Sequence, residues 1–371
     1  MKEHIMVGCD LHDKNMLLKI AVGRGKADKR LFGNTLGGRR AMVADLKKRS
    51  ASAGGAEVIF AYEASCQGFG LYDEVTEAGH ECHVLAPTLI ARSVRHRRSK
   101  TDEKDADRIL EILRAHVLAG IDLPSVWVPD LQTREDREVV RARLDVADKL
   151  ARLKAQVRML LKRNGVRKPS KLGKGWTGAY GAWLLGLTAA RSELSHGARV
   201  GLASLLRQMR AVEEEIQSLG MEVAALSRKP RYAKPAFMMT LEKGVGQLTA
   251  MVFLTEMGDL SRFSNRKQVG CFLGLAPSAN ESGETSDRKG HITHQGPYRV
   301  RKVLCQAVWA RVRTDLAAAE AYDRIVSRNP KHKKIAVVAM MRRLAVRLWH
   351  VGLETQRASG CFDQNELDAV A

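Results

Sequence analysis

Short apolar runs that stop at charged or glycine-bearing turns dominate the first ninety residues. Residues 5–9 form one such run, ending at Asp10. Residues 16–22 form a second, across the loop LHDKN, and a third strand is predicted near Leu31 and Phe32. Over 39–49, Met42, Val43 and Leu46 fall on one side of a predicted helix. Residues 57–62, EVIFAY, are rich in strand formers and end directly at Glu63. A helix over 68–78 and a strand over 83–85, closed by Pro87, continue the alternation. The pattern predicts an α/β layer with a mixed or parallel sheet. Asp10 and Glu63 both fall at the C-terminal end of a predicted strand, the edge of such sheets where ligands bind.

The period then changes. A helix is predicted over 103–118, with Asp102 and Asp105 three apart on one face at its start. After the linker-like IDLPSVWVPD, Val146, Leu150, Leu153, Val157 and Leu160 recur in steps of four and three, ended by Asn164-Gly165. A second run comprises Leu205, Met209, Val212, Ile216, Leu219, Val223 and Leu226 and is stopped by Pro230. Both follow a coiled-coil period. The basic, glycine-rich stretch 166–196 between them reads as irregular. The simplest arrangement is an antiparallel helical hairpin; coiled-coil dimerisation and ordinary bundle packing are the alternatives. Further on, Gly244-Val245-Gly246 opens a helix over 247–257. This resembles a helix-hairpin-helix device, whose backbone N–H groups face a phosphate. A polar loop, a helix over 298–319 and a basic helix over 335–352 follow. The predicted organisation is an α/β domain over 1–125, a helical coiled-coil region over 126–232 and a mainly α-helical domain over 233–371.

Charge narrows the function. The 371 residues carry 62 Lys and Arg against 41 Asp and Glu, a net charge of +21. Such a surplus most often meets nucleic acid, with anionic membrane the next possibility. Hydrophobic residues make up 45%, which excludes global disorder. The longest uncharged run of note, 175–190, is glycine-rich and shorter than the roughly 18 residues of a membrane span, and MKEHIMVGCD has no signal core, so a cytoplasmic protein is expected. Six cysteines without a CxxC pair point to buried thiols in a reducing compartment, not to zinc or disulfides.

Against this basic background, Asp10, Glu63, Asp102 and Asp105 stand where hard oxygen ligands for a divalent cation would be placed, on rigid elements from separate segments. Each has a bland reading. Asp10 could cap a turn, with Asp13 a competing acid. Glu63 could begin a helix. Asp102 could be an N-cap with Asp105 at N3. The joint pattern favours a metal site, because RSVRHRRSK lies directly upstream of the acid pair. There Arg95, Arg97, Arg98 and Lys100 could neutralise approaching phosphates. Lys289, Arg299, Arg301 and Lys302 are further candidates for nucleic-acid binding. Ser278, Ser282 and Ser286 lie in the polar loop before the last two and are candidate nucleophiles, although serines in such loops usually make turns.

The segments GCDLH, YEAS, SKTDEKDADRI, GVGQLTA, FLGLAPSANESG and HITHQGPYRVRKVL resemble the DEDD-type insertion-sequence transposases of the insertion-sequence one-ten family, the bridge-RNA-guided recombinases. The resemblance covers nearly the whole chain and is most specific in TDEKDA and over 270–304. It implies a RuvC-like, ribonuclease H-like domain, a coiled-coil region and a C-terminal transposase domain. It implies that Asp10, Glu63, Asp102 and Asp105 bind Mg²⁺ and that Ser282, in the Ser282-Gly283 element, attacks DNA to give a 5′-phosphoserine link. It further implies a composite site between subunits of a tetramer, and a non-coding guide RNA that pairs with element-end and target DNA. Many relatives carry two serines before that glycine, whereas Glu281 stands at the first position here. Two rivals remain: a RuvC-like junction resolvase that needs the acids but not Ser282, and a non-catalytic architectural nucleic-acid binder.

Overall fold

The computed structural model describes residues 3–90, 101–173, 175–279, 289–328 and 330–358. The chain divides into two compact units, Met1–Val128 and Pro129–Ala371. No described helix is long and apolar enough to cross a membrane.

The first unit is built on β1 (Ile5–Leu11), β2 (Asn15–Val22), β3 (Asp28–Gly33), α1 (Leu36–Ser52), β4 (Val58–Glu63), α2 (Gly70–Glu77), β5 (Glu81–Leu85) and α3 (Asp102–Ala119). The five strands make one mixed sheet in the order β3-β2-β1-β4-β5. The first three run as an antiparallel meander, while β4 and β5 join parallel to β1. Glu63 is the last residue of β4, which excludes its reading as a helix start. Alternation then sorts the side chains. Ile5, Val7, Cys9, Val58, Phe60 and Tyr62 pack with Met42, Leu46 and Leu71 on one face. Met6, Ile59 and Ala61 pack with Ile109, Leu110 and Leu113 of α3 on the other. Full burial of a side chain such as Phe60 contributes about 1.5–3 kcal/mol.

Gly8 lets α3 lie directly on β1. A Cβ there would sit 2.4 Å from the Leu110 backbone N and 2.5 Å from the Ala106 carbonyl oxygen. Lys19, opposite Gly8 in the sheet, reaches across the same face to Glu103 (2.7 Å) and Asp107 (3.2 Å). The segment expected to be a linker is tied to the sheet edge: Val126 N–H donates to the Val84 carbonyl, and Leu85 forms a bridge with Ser125. It thereby covers part of an otherwise open edge.

The second unit is mostly helical: α4 (Leu131–Arg163), α5 (Gly178–Gly186), α6 (His196–Leu226), α7 (Pro230–Thr240), α8 (Gln247–Met257) and α9 (Arg266–Phe272) precede a two-stranded hairpin of β6 (Pro277–Ala279) and β7 (Lys289–Ile292). Three helices follow: α10 (Tyr298–Thr314), α11 (Leu316–Arg328) and α12 (Lys333–Ala358). Helices α4 and α6 pack as an antiparallel pair. At one end Val140 and Leu144 share a core with Val223 and Leu226; at the other Leu153, Val157 and Leu160 share one with Leu202 and Met209. Coiled-coil association between chains is a separate matter from this internal pairing.

Several expectations are corrected. The stretch 166–196 is not irregular throughout, because Tyr180, Leu184 and Leu187 of the α5 region close the distal core. Pro230 does not stop α6, which ends at Leu226; it takes the first position of α7, where its missing N–H costs nothing. The helix expected over 298–319 breaks at Asp315, whose extended backbone ends α10 and whose carboxylate lies 3.6 Å from both Lys243 and Arg311. The polar loop is flanked by the β6–β7 pair. Of the five described cysteines, all free thiols, Cys9 and Cys82 are buried, but Cys66 and Cys271 are exposed.

Candidate metal centre

The mixed sheet aims Asp10 at α3. Met6 and Gly8 face α3, so Asp10, two residues on, does too. Ile59 and Ala61 place Glu63 on that face by the same alternation. The β1–β4 register pairs Cys9 with Tyr62, so the two acids stand one residue beyond, side by side at the C-terminal edge. Thr101, not Asp102, caps α3, its hydroxyl accepting from the Lys104 N–H at 3.4 Å. Asp102 is therefore released from the capping role and projects from the first turn with Asp105.

Asp10, His12 and Asp102 converge, their ligand atoms all within 4.8 Å of one another. His12 Nε2 lies 2.9 Å from Asp10 Oδ2 and 3.2 Å from Asp102 Oδ1. The turn that carries His12 is fixed on both sides. The His12 N–H donates to the Asn15 carbonyl, and the His12 carbonyl accepts from Asn34 Nδ2 at 2.7 Å. Asn34 also donates to Gln67, which in turn donates to Asp13 at 3.1 Å. Asp13, the competing acid, is thus held by Gln67. Asp105 has Arg108 at 3.8 Å. Neither Asp105 nor Glu63 belongs to the close group of three.

Burial pushes the Asp10 carboxyl above its ordinary range; His12 pulls it back, while the charges of Asp102 and Asp105 push it further up. An excess of negative charge is therefore concentrated on a half-buried acid, and a bound cation would relieve it. The donor set of carboxylate oxygens with one imidazole suits a hard or borderline divalent ion. His12 was missed as a site residue from sequence. Its signal was faint: a histidine two positions beyond Asp10 in a tight turn.

Two family models match. One, described as a transposase of the DEDD type, covers residues 7–164; the other, described as "Transposase IS116/IS110/IS902 family", covers 238–324. A Sinorhizobium fredii protein named "Putative transposase y4qE" is 30% identical over 328 residues, spanning 81% of this chain and 77% of the relative. The chain belongs to the IS110 family of transposases. The IS1533 transposase of Leptospira borgpetersenii is 24% identical over 296 residues, covering 79% of this chain and 80% of its own. The pilin gene-inverting protein of Moraxella bovis is 27% identical over 118 residues, 31% of this chain and 36% of that one. The first matched segment of this IS110-family transposase contains the acids. Its five-stranded mixed sheet fits the ribonuclease H-like domain of the DEDD transposases.

The second matched segment carries the remaining candidates. Arg299 donates to Asp145 of α4 at 2.9 and 3.1 Å, and Lys302 donates to Asp148. Arg301 donates to the carbonyls of Leu273, Gln295 and Gly296, and burial pushes its guanidinium pKa down. These three side chains spend donors within the transposase, pinning α10 to α4 and to the turn after β7. Gly244 is a packing residue: at φ +85, a Cβ there would lie 2.4 Å from the Ala307 carbonyl of α10. The exposed Ser278 donates its hydroxyl to the His291 carbonyl at 3.0 Å across the hairpin. Arg95, Arg97, Arg98, Lys100, Ser282 and Ser286 lie outside the described residues, as does the side chain of Lys289.

Proposed function

We propose that this IS110-family transposase excises and integrates its insertion sequence by serine attack on DNA phosphodiesters, assisted by a divalent cation. The observation that carries the reading is the convergence of Asp10, His12 and Asp102 at the catalytic edge of the sheet, with Glu63 and Asp105 on the same face. Asp10, Glu63, Asp102 and Asp105 would hold Mg²⁺, with His12 orienting Asp10 and Asp102. Bound there, the cation supplies Lewis-acid stabilisation of charge developing on phosphate oxygens. Ser282 is the nucleophile. Its Oγ forms the bond to phosphorus as the bond to the deoxyribose 3′ oxygen breaks; that oxygen leaves as a hydroxyl, and the serine proton passes to solvent or a nearby base. Energy conserved in the 5′-phosphoserine link then allows a 3′-hydroxyl of another strand to reverse the step and seal a new junction. The relative named for inverting a pilin gene supports rejoining over hydrolysis, since inversion requires resealed ends.

The active form is a homo-oligomer, a dimer or tetramer, acting in the cytoplasm on element-end and target DNA. Acids and serine in the composite site come from different subunits. A non-coding guide RNA from the element supplies target choice by base pairing, as in other guided systems.

The test is to incubate purified protein with Mg²⁺, element-end and target DNA and the transcribed flanking RNA, then denature and search by mass spectrometry for DNA joined to the Ser282 peptide. The adduct is expected for the native chain and absent in Ser282→Ala and Asp102→Asn. His12→Ala should retain folding yet weaken Mn²⁺ binding in calorimetry by about 10–100-fold, as for residues that orient metal ligands. Cleaved DNA with no adduct in the native protein would replace serine attack by metal-activated water.

A further inference from the structure

A strongly basic module sits at the distal end of the α4–α6 pair, in the stretch that neither family model reaches, 165–237, and the end of α4 that leads into it. Between 149 and 192 the sequence contains eleven Lys or Arg and no Asp or Glu. Arg152, Arg158, Lys162, Arg163, Arg167 and Lys171 are exposed there, and none forms an ion pair among the described residues. The module is a built structure, not a solvated tail. Its core joins Leu153, Val157 and Leu160 of α4 to Tyr180 and Leu184 of α5 and to Leu202 of α6.

Two half-buried tryptophans and a buried tyrosine are set among those charges. Trp176 and Tyr180 meet edge-on at 5.0 Å, and Trp183 stacks on Tyr180 at 5.6 Å and 20°. Lys154 lies over the Trp176 ring at 5.3 Å and Lys168 over Tyr180 at 3.8 Å. Lys168 also donates to the Gly175 carbonyl, fixing the loop that carries Trp176. Cation–π contacts thus place some of the lysines on the module itself, while the arginines point outward. By contrast, Arg299, Arg301 and Lys302 near the serine loop are engaged internally. At the distal end, Arg158, Lys162, Arg163 and Arg167 have no acidic partner among the described residues.

We infer that this distal module is a DNA-binding site, gripping the phosphate backbone of duplex DNA with Arg158, Lys162, Arg163 and Arg167. Charge complementarity selects the occupant: a dense array of unpaired cations on a rigid support binds a regular polyanion and releases its counterions. DNA is the polyanion because the family acts on DNA. With Arg141 held in the proximal core region and Arg163 at the other end, the reach along α4 is roughly 33 Å at 1.5 Å per residue. The site can therefore hold duplex well away from the proximal end of the α4–α6 pair. The inference does not depend on metal or serine chemistry, and it fails or stands separately from both.

The test compares the full-length protein with a variant carrying Arg158→Gln, Lys162→Gln, Arg163→Gln and Arg167→Gln. A control variant carries Arg24→Gln, Lys26→Gln, Lys47→Gln and Lys48→Gln, four exposed residues of the first unit, for the same change of charge. Fluorescence anisotropy with a 30-base-pair DNA duplex (~30, a length chosen to span the site) is titrated over salt, with a duplex RNA of equal length in parallel. Circular dichroism melts confirm that all three chains fold. The expected result is a distal variant whose DNA affinity falls at least ~10-fold near 0.1 M salt and whose log–log salt slope shrinks by about 2–4, with the control near native. Equal losses in both variants would reduce the effect to net charge and overturn the site. So would an unchanged slope in the distal variant, or a loss confined to RNA.

Discussion

Glu242 shows how a single carboxylate can hold two helices. It accepts hydrogen bonds from Arg311 of α10 at 2.9 Å and from Arg347 of α12, and only a tenth of its side chain is exposed. Burial alone would raise its carboxyl, but the two guanidinium bonds outweigh it and hold the pKa below the usual range. The folded state therefore prefers the carboxylate. The resulting stabilisation is complete above the unfolded value near ~4.3 and is lost as pH falls through the lower folded value. Glu242→Gln should cost about 2 kcal/mol at pH 7. The gap in melting temperature between variant and native protein should close as pH is taken from 6 toward 2 (roughly the span of carboxylate titration). A gap that persists at the acid end would show that the pair acts by packing alone. His12 is the residue-scale lesson of the site. Its partner Asp102 lies far along the chain, so no local spacing advertised the contact; only the apposition of α3 and β1 creates it.

Elements were legible where one face of each is buried. Strands β1, β2 and β4 read as short apolar runs because the sheet packs on both sides, and α3 keeps the 3.6 period of a helix with one buried face, whereas β3 is largely exposed. Asp10 and Glu63 could be placed at strand ends for that reason. Legibility failed where packing, not periodicity, decides. The α5 helix lies among glycines that disfavour it, yet Trp183, Leu184 and Leu187 gain a core there. The break at Asp315 interrupts a run with good helix formers on both sides, and its carboxylate is drawn to Lys243 of another segment and to Arg311 one turn earlier in α10. The β6–β7 strands are too short to show an alternation. Gly8 tests the element-scale account. Gly8→Ala must push α3 from β1, and overpacking of this kind costs about 1–3 kcal/mol. Divalent-ion affinity should fall with it, because Asp102 rides on α3 while Asp10 stays on β1. Calorimetric titration with Mn²⁺ that matched the native protein would show that the metal centre does not depend on this contact.

At the scale of the whole molecule, the IS110-family chain joins a mixed-sheet unit bearing acids to a helical unit bearing the serine segment and a distal basic module. The charge surplus pointed to a nucleic-acid partner, in keeping with the family, but it could not say which bases are free. That depends on which ones find an acid in the fold: Arg299 and Lys302 find Asp145 and Asp148, whereas Arg158 and Arg163 find none among the described residues. The two cores along α4 and α6 have one more consequence. They lie at opposite ends of the same pair, and the stretch between them, around Arg210 to Glu215, is largely exposed. The pair therefore behaves as a spacer whose length can be edited. Taking seven residues from each helix removes close to two turns, shortens the spacer by roughly 10 Å and leaves both ends nearly in phase. Taking seven from α4 alone throws the partner helices out of step. The matched excision should melt below the native chain only by the loss of the Asp145 and Asp148 contacts to α10, and the unmatched one far lower; equal melting of the two would mean that the ends do not share a register. A transposase built this way can acquire a longer or shorter arm without redesigning either end.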